Sequence, residues 1–144
     1  KILGYDKFLD EAYCKENDIT VMEPEEIFKK ADIITLHVPG NPEGTPVVGE
    51  KELASMNKNT VLINTARASL VDEESLIEAL AEHRIYGYGT DVFKGEPHIN
   101  EKFENLDNVV LSPHTAAVSV EAINLMTNTA VDHILEYFGV KKGE

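Results

Sequence analysis

Residues 61–82 read VLINTARASLVDEESLIEALAE. The run VLIN is apolar and strand-like, and it ends in Thr65, Ala66 and Arg67. Five residues after Arg67, Asp72 opens a segment in which Leu76, Ile77 and Leu80 recur on one helical face. A buried strand that delivers an arginine at its exit and then leads into a helix reads as part of an alternating strand–helix fold.

The same alternation continues on both sides of this stretch. KILGY (1–5), IITLHV (33–38), TVLINTA (60–66), YGYGTDV (86–92) and NVVLS (108–112) predict strands. EPEEIFKKA (23–31), with Pro24 in its first turn, EKELASM (50–56), with Leu53 and Met56 inward, and 72–82 predict helices. Ser119 opens a last helix that suits an end at Gly139. Its apolar stripe of Val120, Ile123, Met126, Ala130, Ile134 and Phe138 reads as core. Strands that are apolar without alternating predict a parallel sheet covered on both faces. Ligands of such sheets bind beyond the carboxyl ends of the strands. Asp6, His37-Val38-Pro39, Thr65-Ala66-Arg67, Asp91 and Pro113-His114 all fall at or just past strand exits, so they are expected on one rim.

The chain has 144 residues, 42% hydrophobic and 27% charged, the composition of one ordinary soluble domain. Thirteen basic against 26 acidic residues leave a net charge of −13, which argues against nucleic acid and anionic membrane surfaces as partners. It leaves room for a small anionic substrate, because one arginine in a cleft dominates locally. A lone Cys14 gives no internal disulfide, and a cytoplasmic setting is the expectation. No apolar run approaches the ~20 residues that span a bilayer, and KILGYD lacks the layout of a signal peptide. GNPEGTP (40–46) is the main Pro/Gly loop. The absence of H-x-x-H, H-E-x-x-H and C-x-x-C argues against a metal site, and the absence of G-x-S-x-G against a serine nucleophile.

Each polar residue on the rim has a functional and a plain reading. A carboxylate at Asp6 can accept both ribose hydroxyls of an adenine dinucleotide and repel a 2′-phosphate, favouring NAD; its plain role is a loop cap. Arg67 presents a fork that suits a carboxylate; its plain role is a surface ion pair with Asp72 or Glu73, worth ~0–1 kcal/mol. Glu96 lies between Gly95 and Pro97, where a turn residue would serve. His114 follows a strand and a proline, and the small residues after it, Ala116 among them, leave room for a cofactor ring. His83 and His98 read as surface or loop residues, His133 falls in the last helix, and His37 reads as a strand-end residue near a cofactor but outside the chemistry. The glycine loop G-x-G-x-x-G expected about twenty residues before Asp6 is not in this sequence, so the fold is expected to start partway through.

LGYD, ADIITLHVPGNPE, MNKNTVLINTARASLVDEESLIEAL, GYGTDVFKGEP and LDNVVLSPHTAAVSVEA follow one another in order. Together they resemble the NAD-binding domain of D-isomer-specific 2-hydroxyacid dehydrogenases. The resemblance implies a partial Rossmann-like, doubly wound parallel α/β sheet with helices on both faces and its first βα unit missing. Residues 1–144 would then be an incomplete NAD-binding domain without its substrate domain. Arg67, Glu96 and His114 match the family's catalytic arginine, glutamate and histidine. Asp6, Val38, Pro39, Thr65, Ala66, Arg67, Asp91, His114 and Ala116 match its cofactor-binding positions. The implied reaction exchanges hydride between NAD and a small 2-hydroxy or 2-keto acid, with Arg67 on the carboxylate and His114 and Glu96 as proton relay. A cytoplasmic homodimer is implied as well.

Two positions depart from the family pattern: Ala68 stands where glycine is frequent, and Gly44 where threonine or asparagine is. Two rival readings remain: an oxidiser of formate or phosphite, and a non-catalytic NAD-sensing module. In the family sheet a further strand lies between the strand ending at Asp6 and the strand ending at Val38. These 144 residues alone are therefore expected to be unstable as a monomer and catalytically silent.

Overall fold

The computed structural model describes residues 1–40 and 44–140, so residues 41–43 of the GNPEGTP loop lie outside it. The chain divides into two compact units, Lys1–Pro113 and His114–Glu144.

The first unit runs β1 (Ile2–Gly4), α1 (Glu11–Glu16), β2 (Ile19–Val21), α2 (Pro24–Lys30), β3 (Ile33–Leu36), α3 (Glu50–Ser55), β4 (Val61–Asn64), α4 (Glu73–Ala81), β5 (Gly87–Thr90) and β6 (Val109–Leu111). Short 3-10 turns at Ala68–Leu70 and Glu101–Asn105 precede α4 and β6. The predicted strands and helices are present. The sequence reading missed α1 and β2, which span only six and three residues. Helix α1 is nucleated by Asp10, whose side chain accepts a hydrogen bond from the Tyr13 amide at 2.9 Å.

Every strand pair is parallel. Strands β3-β4-β5-β6 form a four-stranded sheet in sequence order, while β1 and β2 pair separately. The sheet is thus interrupted between β1 and β3, where the resemblance places a further strand.

Cross-strand register explains which side chains are buried. Ile34, Leu62, Tyr88 and Val109 are aligned, and so are Leu36, Asn64, Thr90 and Leu111. This face packs with Phe28, Leu53, Leu76, Leu80 and Phe103 into the core. The opposite face carries Ile33 and Val110, exposed by 66% and 74%. Within this sheet the most deeply buried side chains lie on the first of these faces. Leu70, between β4 and α4, and Val48, just before α3, are fully buried. Val48 donates to the Leu70 carbonyl and accepts from the Asp72 amide, both at 2.9 Å, which pins the chain entering α4.

The second unit holds α5 (Val120–Tyr137), capped by Ser119, whose hydroxyl accepts from the Ala122 amide at 3.1 Å. Gly139 follows at φ +64, a conformation glycine adopts without penalty. No residue of α5 is buried. Its apolar stripe is present in the sequence but is not core here. Among the described residues, no helix is long and apolar enough to cross a membrane.

Two outcomes are expected. Asp72 accepts from the Ser75 amide at 3.0 Å, and hydrogen bonding to Ser75 holds its carboxyl below the ordinary value of 3.8. Asp72→Ala should cost about 1 kcal/mol of stability in denaturant unfolding, and Asp72→Asn much less. The cap's pH-dependent contribution is present above pH ~4 and is lost on acidification through the lowered value. Separately, among the described residues no strand pairs with the outer edges of β1 and β3, which leaves backbone groups there without a ladder. This 144-residue chain expressed alone should associate or melt without cooperativity; sedimentation and calorimetry showing a cooperatively melting monomer would overturn that.

Candidate active site

Because β3, β4, β5 and β6 are parallel and in register, their carboxyl ends share one edge of the sheet. Residues following those strands are delivered to that edge by the backbone itself.

The exit of β4 is built around Asn64, which is fully buried. Its Nδ2 donates to the Arg67 carbonyl at 2.9 Å, and its Oδ1 accepts from the Ala66 amide at 3.1 Å. One side chain thus closes the Thr65-Ala66-Arg67 turn. Ala66 packs against the core, while Thr65 and Arg67 are exposed. Arg67 Nη1 donates to the Ala66 carbonyl at 2.6 Å. Arg67 forms no ion pair among the described residues. The two carboxylates considered as surface partners are engaged elsewhere: Asp72 caps α4, and Glu73 accepts from Asn100 Nδ2 at 2.8 Å. The exit of β3 approaches the same turn. A Cβ on Gly40 would stand 2.9 Å from Ser69 Oγ and 3.8 Å from Arg67 Cβ, so a side chain at position 40 would crowd the arginine turn. Val38 is half-buried against the core, and Pro39 is exposed.

At the exit of β5, Asp91 is 3% exposed and accepts from Ser112 Oγ at 2.5 Å. The Asp91 amide donates to the Asn64 carbonyl at 3.2 Å. Glu96 is exposed, and its Oε1 accepts from the Phe93 amide at 2.8 Å, folding the DVFKGE turn back on itself. The turn reading of Glu96 therefore holds in part, because one carboxylate oxygen serves the loop. Asp6, just past β1, is exposed, and its Oδ1 accepts from the Phe8 amide at 2.7 Å, the loop-cap geometry. His114 and Ala116 are exposed and belong to the second unit. His114 has φ 54, a left-handed conformation uncommon for a residue with a side chain.

Structure thus brings Val38, Pro39, Thr65, Ala66, Arg67 and Asp91 to one sheet edge. Sequence reading missed Asn64, Thr90 and Ser112, the polar residues that brace that edge. Their signal was a polar residue closing an apolar strand, as in VLIN and YGYGT. Among the described residues, no group of three His, Cys, Asp or Glu is arranged to hold a metal ion.

The model of the D-isomer specific 2-hydroxyacid dehydrogenase NAD-binding domain matches residues 1–116. The chain belongs to this family. Its fold is the family's Rossmann-type NAD-binding domain. A glyoxylate reductase of Thermococcus litoralis is 38% identical over 144 residues, covering 100% of this chain and 43% of the relative. A D-3-phosphoglycerate dehydrogenase of Methanocaldococcus jannaschii is 38% identical over 122 residues, 84% of this chain and 23% of the relative. The NAD-complexed D-isomer specific 2-hydroxyacid dehydrogenase of Lactobacillus delbrueckii ssp. bulgaricus superposes with a TM-score of 0.85 at 32% identity. The match covers 99% of this chain and 47% of that one. This family member therefore spans less than half the length of those relatives.

The buried face offers one measurable check. Burial pushes the Tyr88 phenol above its ordinary value of 10.0, and hydrogen bonds with Thr90 and Asn64 pull it back in part. A phenol that ionises later in the folded than in the unfolded chain supports folding below pH ~10, and that support is lost as pH rises through the raised value. Thermal melts of Tyr88→Phe should show a shallower alkaline fall than the unsubstituted protein in the range above pH ~10. Parallel alkaline limbs would contradict this.

Proposed function

We propose that the protein carrying this chain interconverts a small D-2-hydroxy acid and its 2-keto acid with NAD, with Arg67, Glu96 and His114 as the reacting set. The observation that supports it most directly is Arg67. A buried asparagine holds its turn at the sheet edge, and its guanidinium is exposed without a carboxylate partner among the described residues. A planar cation in that position suits a substrate carboxylate bound through two oxygens.

The residues fit the cofactor's chemistry. Asp6 offers an exposed carboxylate for the ribose hydroxyls, half-buried Val38 an apolar wall, and the Thr65-Ala66-Arg67 turn and Asp91 polar groups at the sheet edge. When bound, the nicotinamide supplies or accepts the hydride. Arg67 orients the acid and polarises the oxygen next to its carboxylate. His114 takes the proton from the substrate hydroxyl during oxidation and returns it to the carbonyl oxygen during reduction. Its left-handed backbone supports a functional assignment, since strained conformations gather at sites of function. Glu96 is assigned the carboxylate of the proton relay. A net charge of −13 favours a small-molecule partner over nucleic acid. Cytoplasmic location and homodimerisation complete the reading.

A panel of 2-keto acids that includes glyoxylate, hydroxypyruvate and pyruvate, followed by NADH consumption with the full-length protein, tests the assignment. His114→Asn should lower kcat about 10²–10⁴-fold while NADH binding is retained. Arg67→Ala should lower kcat/KM on the order of 10²-fold, mainly through KM for the acid. Unchanged kcat in His114→Asn, unchanged kcat/KM in Arg67→Ala, or no turnover in the unsubstituted protein would remove the assignment.

A further inference from the structure

Thr90 closes β5 and is 5% exposed. Its hydroxyl lies 2.9 Å from the Asn64 carbonyl and 2.9 Å from the Val92 carbonyl, either of which it can donate to. The same oxygen accepts from the Val92 amide at 3.1 Å. Asn64 is the residue whose side chain closes the Arg67 turn, and Val92 follows Asp91 in the turn that leads to Glu96. The Thr90 carbonyl in addition accepts from the Ser112 amide at 3.0 Å, and Ser112 Oγ donates to Asp91. One buried hydroxyl therefore touches both turns that carry reacting or cofactor-facing residues.

We propose that the Thr90 hydroxyl is a positioning group that locks the Arg67 turn at β4 to the Asp91–Glu96 turn at β5. A valine would fill the same volume and suit the strand, so shape alone does not call for a hydroxyl. Removing the hydroxyl leaves the buried Val92 amide without its acceptor, so that turn has to move to find another. It also removes the side-chain link between the two strand exits. A sub-ångström drift of Arg67 relative to Asp91 and Glu96 would misalign a bound acid, and small misplacements far from the chemistry lower rates by large factors.

The kinetic half of this proposal rests on the dehydrogenase reading above; the structural half does not. Two measurements on the full-length protein therefore separate them. In amide hydrogen exchange, Thr90→Val should lose protection in peptides spanning 63–70 and 89–97, while Thr90→Ser, which keeps the hydroxyl, should match the unsubstituted protein. In steady-state reduction of a 2-keto acid well below the melting temperature, Thr90→Val should lower kcat/KM about tenfold. KM for the acid should rise while NADH affinity stays within about twofold, and Thr90→Ser should restore both parameters. Should Thr90→Val fail to fold, Thr90→Ala against Thr90→Ser gives the same comparison, because those two differ only by the hydroxyl. Unchanged exchange in the two peptides overturns the proposal, as does equal loss in the serine and hydroxyl-free variants. Normal kcat/KM in Thr90→Val, with the unsubstituted protein active, also overturns it. Absent turnover in the unsubstituted protein removes the dehydrogenase reading instead, and the exchange result then decides the role of Thr90.

Discussion

A fully buried amide at the last residue of β4 has to find hydrogen-bond partners, because nothing in a dry core substitutes for water. Asn64 finds them in the three residues that follow it, on the Ala66 amide and the Arg67 carbonyl. Satisfying one polar side chain thereby dictates the shape of the turn that carries the arginine. Its backbone carbonyl in turn receives the Asp91 amide and the Thr90 hydroxyl from the neighbouring strand. The geometry at the sheet edge descends from this one residue. A leucine there would deepen the core and leave the turn without its clasp.

The same logic accounts for the division of labour around the edge. Residues that brace it are buried: Asn64, Thr90 and Asp91. Arg67 and Glu96, to which we assign acid binding and proton exchange, are exposed. A rigid polar scaffold limits how far the side chains of the turns it holds can wander. Family membership adds the cofactor to this picture, since the matched domain is the one that binds NAD.

Much of this was legible in the residue order. The period of Leu76, Ile77 and Leu80 and the Asp72 cap located α4, because helix periodicity and capping are local properties. The position of Arg67 just past a strand was equally local, and the ordered motifs from LGYD to SPHTAA identified the family that the 1–116 match bears out. Helix α1 and strand β2 escaped notice because six and three residues are too few to display a period. The stripe on α5 was visible but misjudged, since periodicity reports which residues share a face and not what, if anything, covers it.

Sequence alone determined the alternation of strands and helices, the residues placed at each strand exit and the family. These depend on neighbours a few positions apart. Only the tertiary structure decided that Asn64 stands beside Thr90, 26 residues away, and which side chains of the main sheet are buried. Those outcomes depend on which strands pair and in what register. Register is set by the packing of the whole sheet against its helices and leaves no mark in any short window of residues.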